Sequence, residues 1–420
     1  MKDFVVFSLG CKVNQVEGQS LAETLVKAGF SISFNLEPAK SYILNTCSIT
    51  AEADRKSRQL ISRALRLNAD AKIFVLGCSS QFDDTEFLNK VSVRFVSGAA
   101  GKSEALRKIL QFLKAGDSTQ KGISAVTVPP AIFEPLDKPF KSRTRAYIKV
   151  QDGCDCFCSY CIVPYLRGRS RSRNLNDIIN EAVLLSRESQ ELIITGINLS
   201  DYRIGGEPAL TQLIDAFKVI TTRKRLGSLG IHIITDELLS AMRSSAFCTH
   251  FHLSVQSGCD SVLKRMNRHY TVKDILTKVE LIRTFFPNAG ITADIITGFP
   301  GETDADFLTT VQTIQKAAFS SVHIFPYSER KNTKAVTMEN SVEKSVRRSR
   351  ATELGAVCQR LKVQFLEHQI GQTANIYMEE SGVGYTENYI KVYSSAAVGE
   401  IVKVKLLKKY KNGLLGELVV

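Results

Sequence analysis

The chain has 420 residues, 44% of them hydrophobic and 23% charged, with 55 lysines and arginines against 42 acids and a net charge of +13. This composition excludes a low-complexity or disordered protein, and the length exceeds what one compact core carries, so two or three domains are expected. No apolar run reaches the roughly 18 residues that span a bilayer, and the short apolar start lacks a small-residue cleavage site, so the expectation is a cytoplasmic protein with no membrane partner.

Residues 4–9 read as a strand and 13–28 as a helix, with Leu21, Leu25 and Val26 on one face. A second strand at 41–45, a helix at 51–67 rich in Arg and Ala, and a third strand at 72–76 follow. Alternating β and α implies a mostly parallel sheet covered by helices, here over residues 1–114. Residues 115–140 lose periodicity and contain Gly116, Gly122, Pro129, Pro130, Pro135 and Pro139, the composition of a linker. A second α/β run over 141–364 opens with a strand near 145–150. Further strands are expected at 191–195, 230–234, 250–255, 290–296 and 321–325, which together suit a partial (β/α) barrel with its chemistry at the carboxyl ends of the strands. After a basic helix at 342–369 the pattern changes. Short strands at 374–378, 389–393, 401–405 and 414–420 within residues 365–420 suggest a small antiparallel β-barrel of OB-like type. The fold class is therefore α/β with a terminal β-barrel.

Ten cysteines in a reducing compartment point to metal binding or catalysis rather than disulfides. The loop Cys154-Asp155-Cys156-Phe157-Cys158-Ser159-Tyr160-Cys161 follows the first strand of the second run. Cys154, Cys158 and Cys161 have the spacing C-x3-C-x2-C. Three thiolates can hold three irons of a cubane cluster and leave the fourth open to a small molecule. A zinc site would want a fourth Cys or His nearby, and His250, His252 and His269 are remote in sequence. Cys156 stands between the others and is read as a non-ligand. Cys11, Cys47 and Cys78 each fall just past a predicted parallel strand, and such ends gather on one sheet edge, so these three can hold a second cluster. Gly10 and Gly77 would admit a close backbone approach to a bulky group. Cys248, Cys259 and Cys358 share no spacing and read as structural.

The C-x3-C-x2-C loop after a first barrel strand resembles the radical S-adenosylmethionine superfamily. Together with Gly10-Cys11-Lys12-Val13-Asn14-Gln15, Asn45-Thr46-Cys47 and Gly77-Cys78, nearly the whole chain resembles its methylthiotransferase family. Other matching stretches are Ile162 to Gly168, Ser254 to Gly258, Gly298 to Thr303 and Phe325 to Ser328. The resemblance implies an amino-terminal cluster domain, a radical barrel and a carboxyl-terminal TRAM domain. It implies two [4Fe-4S] clusters, on Cys11, Cys47 and Cys78 and on Cys154, Cys158 and Cys161. It also implies two roles for S-adenosyl-L-methionine: one molecule methylates sulfur at the first cluster, another is cleaved at the second, and the resulting radical abstracts hydrogen from the substrate. An aromatic C–H is far too weak an acid for a side-chain base, which is why a radical is needed. By the same resemblance Tyr160, Thr195, Gly196, Gln256, Ile296, Gly298 and Glu302 contact the cofactor, a low-potential electron donor is required, and no side chain acts as acid or base.

Lys-Val-Asn-Gln after Cys11 and the Arg-Ser-Arg near residue 171 resemble the branch acting on N6-threonylcarbamoyladenosine, on the 3′ side of the tRNA anticodon at position 37. Ser170 departs from the family's usual Glu. Between Lys141 and Arg173 eight basic residues face two acids. Arg167, Arg169, Arg171 and Arg173 are thus candidates to meet RNA, with Lys408, Lys409 and Lys411 in the terminal barrel. From Phe365 to Val420 six lysines balance six glutamates. Alternatives are a methylthiotransferase for isopentenyladenosine or a ribosomal protein, and a non-catalytic cluster protein that binds RNA.

Overall fold

The computed structural model describes residues 1–114, 122–134 and 144–419. Six parallel strands form the first sheet, in the order Ile32–Ser33, Lys2–Ser8, Ala39–Thr46, Lys72–Gly77, Val93–Val96, Ile123–Ser124. Residues 41–46 and 73–77 are buried throughout. A parallel sheet covered on both faces needs apolar stretches such as Tyr42-Ile43-Leu44 and Ile73-Phe74-Val75-Leu76. Phe4, Ile43, Phe74 and Leu106 fill one face, and Val5, Leu44, Leu60 and Val75 the other. The helix Ala51–Leu67 starts where Thr50 accepts a hydrogen bond from the Ala53 N–H, with Glu52 and Asp54 in its first turn, where carboxylates suit the helix dipole.

Two expectations are corrected here. Val26 is 40% exposed, because Leu21, Ala22 and Leu25, not Val26, turn the helix Lys12–Lys27 into the sheet's core. Ile123–Ser124, inside the segment read as a linker, pairs in parallel with Val93–Val96 and closes the sheet's edge. Residues 115–121 and 135–140 of that segment lie outside the described residues, as do Lys141 and Arg143.

The second unit is an open barrel of parallel strands in chain order. Ala146–Asp152, Glu191–Gly196 and Arg223–Leu226 form one sheet, and Ser228–Leu229, His250–Gln256, Gly290–Thr297 and Ser321–Pro326 another. A bridge between Lys224 and Phe247 joins them. The third strand runs over Arg223–Leu226, not 230–234, where Ile231–Ile233 is a 3-10 turn. Ile231 and Ile234 are buried as the sequence pattern requires, but the turn rather than a strand carries them inward. Thr271 with Asp274 and Thr303 with Asp306 make reciprocal capping boxes on the helices Val272–Phe285 and Asp304–Ala317.

The helix Lys12–Lys27 of the first unit enters the barrel, packing Val16 on Tyr147 and Ile193. The last five strands close a barrel in the order Thr373–Glu380, Val383–Thr386, Lys391–Tyr393, Gly413–Leu418, Ile401–Tyr410. Four pairings are antiparallel; Lys391–Tyr393 and Gly413–Leu418 run parallel. Val383–Thr386 had no counterpart among the expected strands. This small barrel is fastened to the central one by guanidinium groups. Arg223 donates to the Tyr385 carbonyl at 3.0 Å, and Arg225 to the Glu387 and Thr386 carbonyls at 3.0 and 3.1 Å. Glu191, fully buried, sits within ion-pair distance of Arg145, Arg223 and Arg225 (2.6, 2.7 and 3.3 Å). Among the described residues no helix is long and apolar enough to cross a membrane.

Candidate active site

Cys47 and Cys78 follow directly on the ends of their strands, and Cys11 lies at the amino end of the helix Lys12–Lys27. A helix amino terminus favours a thiolate through its unpaired N–H groups, but burial outweighs this and pushes the Cys11 thiol up. The backbone brings these positions together. A Cβ on Gly10 would stand 2.4 Å from the Cys47 sulfur, and one on Gly77 would stand 2.4 Å from the Thr46 carbonyl oxygen; both glycines have positive φ (86° and 110°). Asn14 locks the turn by donating to the Leu9 and Thr46 carbonyls at 2.9 and 2.8 Å, while Asn45 donates to the Asn14 carbonyl at 2.8 Å. Thus the Asn of the Lys-Val-Asn-Gln stretch ties the Cys11 turn to the Cys47 strand.

The central loop is shaped by local backbone. Gly153 has φ 71°, and a Cβ there would lie 1.9 Å from the Arg169 carbonyl oxygen. Phe157 takes the left-handed region at φ 43°, held by Asn267 donating to its carbonyl at 3.0 Å. Cys161 N–H closes on the Cys158 carbonyl at 2.9 Å. Arg268 donates to the Cys158 sulfur at 3.3 Å, and Asn198 to the Cys156 sulfur at 3.4 Å.

Neither trio is gathered as tightly as one zinc ion would require. Tetrahedral zinc, with Zn–S near 2.3 Å, would draw its sulfurs to about 3.8 Å of one another. Among the described residues neither cysteine trio has all its sulfurs within 4.8 Å. Burial pushes the Cys47 thiol up to about 12 and, with the neighbouring Cys158, the Cys161 thiol to about 12. Ionising these thiols therefore needs a cation in the pocket, as bound iron would provide. Cys154 and Cys156 share a hydrogen bond that raises the first and lowers the second to about 7.

A buried charge network joins the two trios. Arg167 donates to Glu17 at 2.9 and 3.1 Å, to Asp152 at 3.0 Å, to Asn14 at 2.6 Å and to the Cys78 sulfur at 3.4 Å. Lys149 reaches Glu17 (2.9 Å) and Asp152 (2.8 Å), and Arg171 reaches Asp152 at 3.0 Å. Burial works against ionised Glu17, but Arg167 and Lys149 overcome it and hold the carboxyl at about 2. Three bases thus face two acids, and the surplus positive charge adjoins Cys78, where an anionic cluster would neutralise it. This arrangement corrects the reading of the arginine run. Arg167 and Arg171 are 1% and 5% exposed and ion-paired, so they hold the units together and cannot meet RNA. Arg173 pairs with Glu181. Arg169 alone of the four is exposed, over the Phe157 ring and 3.3 Å from Asp155. Lys408, Lys409 and Lys411 are exposed, Lys409 being 3.2 Å from Glu367.

Of the cofactor-contact candidates, Thr195 and Gly196 line a cavity of about 600 Å³ that also exposes Cys11. Tyr160 packs edge-on to Phe299, close to Cys158 and Cys161, and Ile296 joins the same apolar cluster. Gln256 ends its strand at φ 69°. Gly298, at φ 69°, donates to Glu302 at 2.8 Å, and Arg350 donates to the same carboxylate oxygen at 2.8 Å, so Glu302 shapes this turn through its own protein partners. Ser170 accepts from Gln151 at 3.0 Å and donates to the Asp201 carbonyl at 3.2 Å. Glu17, Asn198, Arg268 and Arg330 escaped the sequence reading, and Lys149, counted there only within the basic run, is buried and ion-paired. Only an isolated charge in an apolar strand, as at Lys149 and Asp152, could have flagged any of them. Arg330 donates to Ser48 at 2.5 Å, and Ser328 accepts from the Ala51 N–H at 3.1 Å, so the Pro-Tyr-Ser stretch docks against the Cys47 turn.

A strand-end thiolate loop on an open parallel barrel is the site of a radical S-adenosylmethionine enzyme, and residues 148–314 match the model of the Radical SAM superfamily. Residues 3–98 match a model described as uncharacterized protein family UPF0004. The chain is 35% identical to the threonylcarbamoyladenosine tRNA methylthiotransferase MtaB of Bacillus subtilis, over 96% of this chain and 93% of the relative, and 36% identical to that of Thermotoga maritima, over 99% and 96%. It is 31% identical to a tRNA-2-methylthio-N(6)-dimethylallyladenosine synthase of Lachnoclostridium phytofermentans, over 99% and 95%. Among solved structures, the radical S-adenosylmethionine methyltransferase TsrM of Kitasatospora setae shares the fold at TM-score 0.57 and 14% identity, over 78% of this chain and 74% of that one. The chain belongs to the radical SAM methylthiotransferase family. It is an enzyme that transfers a sulfur-containing group, and its cofactors are an iron–sulfur cluster and S-adenosylmethionine.

Proposed function

We propose that this enzyme methylthiolates N6-threonylcarbamoyladenosine at position 37 of tRNA, giving the 2-methylthio derivative. The reading is supported above all by the near full-length likeness to relatives named for that base, at 35–36% identity against 31% for the dimethylallyladenosine-named relative. Cys11, Cys47 and Cys78 would hold one [4Fe-4S] cluster and Cys154, Cys158 and Cys161 another. When bound, the clusters and S-adenosylmethionine supply the radical and the methylated sulfur. The protein's own part is positional. Asn14 and Gly10 fix the first trio, Gly153 and Asn267 the second, and the Arg167–Glu17–Asp152 network sets their separation. The helix Lys12–Lys27 fills part of the barrel and restricts water, leaving one cavity beside Cys11 for the base. The enzyme would work in the cytoplasm with a low-potential electron donor, its exposed Arg169, Lys408 and Lys411 available to RNA phosphates.

The deciding experiment compares tRNA nucleosides, by liquid chromatography and mass spectrometry, from cells with and without the gene. Loss of 2-methylthio-N6-threonylcarbamoyladenosine alone is the expected result. Loss of the isopentenyl derivative instead would move the enzyme to the other branch, and no change in either would refute a role on tRNA.

A further inference from the structure

The cavity beside Cys11 has an unusual charge. Five lysines and arginines and three histidines line it, and among the described residues no aspartate or glutamate does. Lys12, Arg145, Arg225, His250, His323 and Lys362 are among the lining residues. The nearby carboxylates are engaged elsewhere. Glu191 and Glu379 serve Arg145, Arg223 and Arg225, leaving three guanidinium groups against two acids. Asp294 lies between His252 (3.1 Å) and His323 (3.3 Å).

Lys12 has no counterion among the described residues. Among the described residues its ammonium makes no ion pair or hydrogen bond, and the charges acting most strongly on it are Arg225 and Arg145. A lysine on an open surface is stabilised by water. Lys12 is itself exposed, at the border of the cavity, where its flexible ammonium stands beside other cations and within reach of an incoming anion that would stabilise it. The volume is in the range of ligand pockets that take a nucleoside-sized group. Thr195, Gly196 and Cys11 border the same space, so an anion on Lys12 lies next to the reacting groups of the proposed chemistry.

We propose that this cavity binds an anionic oxygen group of the substrate, the carboxylate on the modified base, and that Lys12 is its direct partner and selects charged over uncharged base substituents. The inference rests on the function proposed above for its choice of base, while the cationic wall stands independently of it. A backbone phosphate offers the same chemistry, so the test must separate the two.

The test measures binding of the cluster-loaded, full-length protein to three anticodon stem-loop RNAs by fluorescence anisotropy. They carry threonylcarbamoyladenosine, its neutral methyl ester, or plain adenosine. A charge-assisted contact predicts that wild type prefers the acid over the ester by about tenfold. Lys12→Gln should erase that preference, Lys12→Arg should retain it, and iron content should be unchanged in both. Equal binding of acid and ester by wild type overturns the proposal without any variant. So does Lys12→Gln that keeps the preference, that weakens all three RNAs equally (a phosphate contact), or that loses iron together with the preference (a role at the cluster). If wild type prefers the acid yet leaves it unmodified under turnover conditions, the proposed reaction fails and the anion site stands.

Discussion

Cys154, Cys158 and Cys161 lie within eight residues on one loop, whereas Cys11, Cys47 and Cys78 are gathered from three strand ends spread over 68 residues. The loop trio is held by local backbone, namely Gly153, the left-handed Phe157 and the Cys161 to Cys158 turn. The dispersed trio exists only when the parallel register Ser8–Asn45 and Thr46–Gly77 is correct. One site is written into a short peptide, the other into a sheet. Damage to global packing should therefore reach the second before the first.

The largest effects test whether the sites are separable. Cys161→Ser should abolish reductive cleavage of S-adenosylmethionine, while Cys47→Ser should keep cleavage and lose methylthiolation. Each should lose about half the iron, roughly four of eight atoms per chain. A Cys47→Ser protein that lost all iron would join the two sites into one. Next is the link between them. Arg167→Met leaves Glu17 and Asp152 buried with one base fewer, and should destabilise the protein by about 3–5 kcal/mol in chemical unfolding. An unchanged midpoint would mean that Lys149 and Arg171 suffice. Gly10→Ala adds a Cβ at positive φ against the Cys47 sulfur. It should cost about 1–3 kcal/mol and deplete the dispersed site while leaving cleavage at the loop intact. Smallest of all, Cys156→Ser should leave iron content and the visible spectrum unchanged. Loss of the loop cluster would show that Cys156 is a ligand in place of one of its neighbours.

The same contrast explains what could be read in advance. Strands 4–9, 41–45 and 72–76 were legible because a doubly covered parallel strand carries a compact apolar core, here Phe4 to Phe7, Tyr42 to Leu44 and Ile73 to Leu76. The dispersed cysteines were legible because each follows such a run. The strand Arg223–Leu226 was missed because its Arg-Lys-Arg reads as surface, yet all three charges are buried, with Arg223 and Arg225 paired to a glutamate 32 and 34 positions away. Arg167 and Arg171 deceived in the same manner. A cluster of arginines looks alike in sequence whether it faces water or buried carboxylates, and only the fold brings Glu17 to Arg167 across 150 positions. Ile123–Ser124 is too short to show any period.

Arg225 touches two worlds, holding carbonyl groups of the small terminal barrel and forming part of the wall beside Lys12. Any tilt of that barrel, for instance under the pull of a tethered nucleic acid, must drag this guanidinium and with it the shape of the chamber. The appendage is therefore geared to the chamber through one shared side chain instead of hanging from it by a hinge, so the two change shape together.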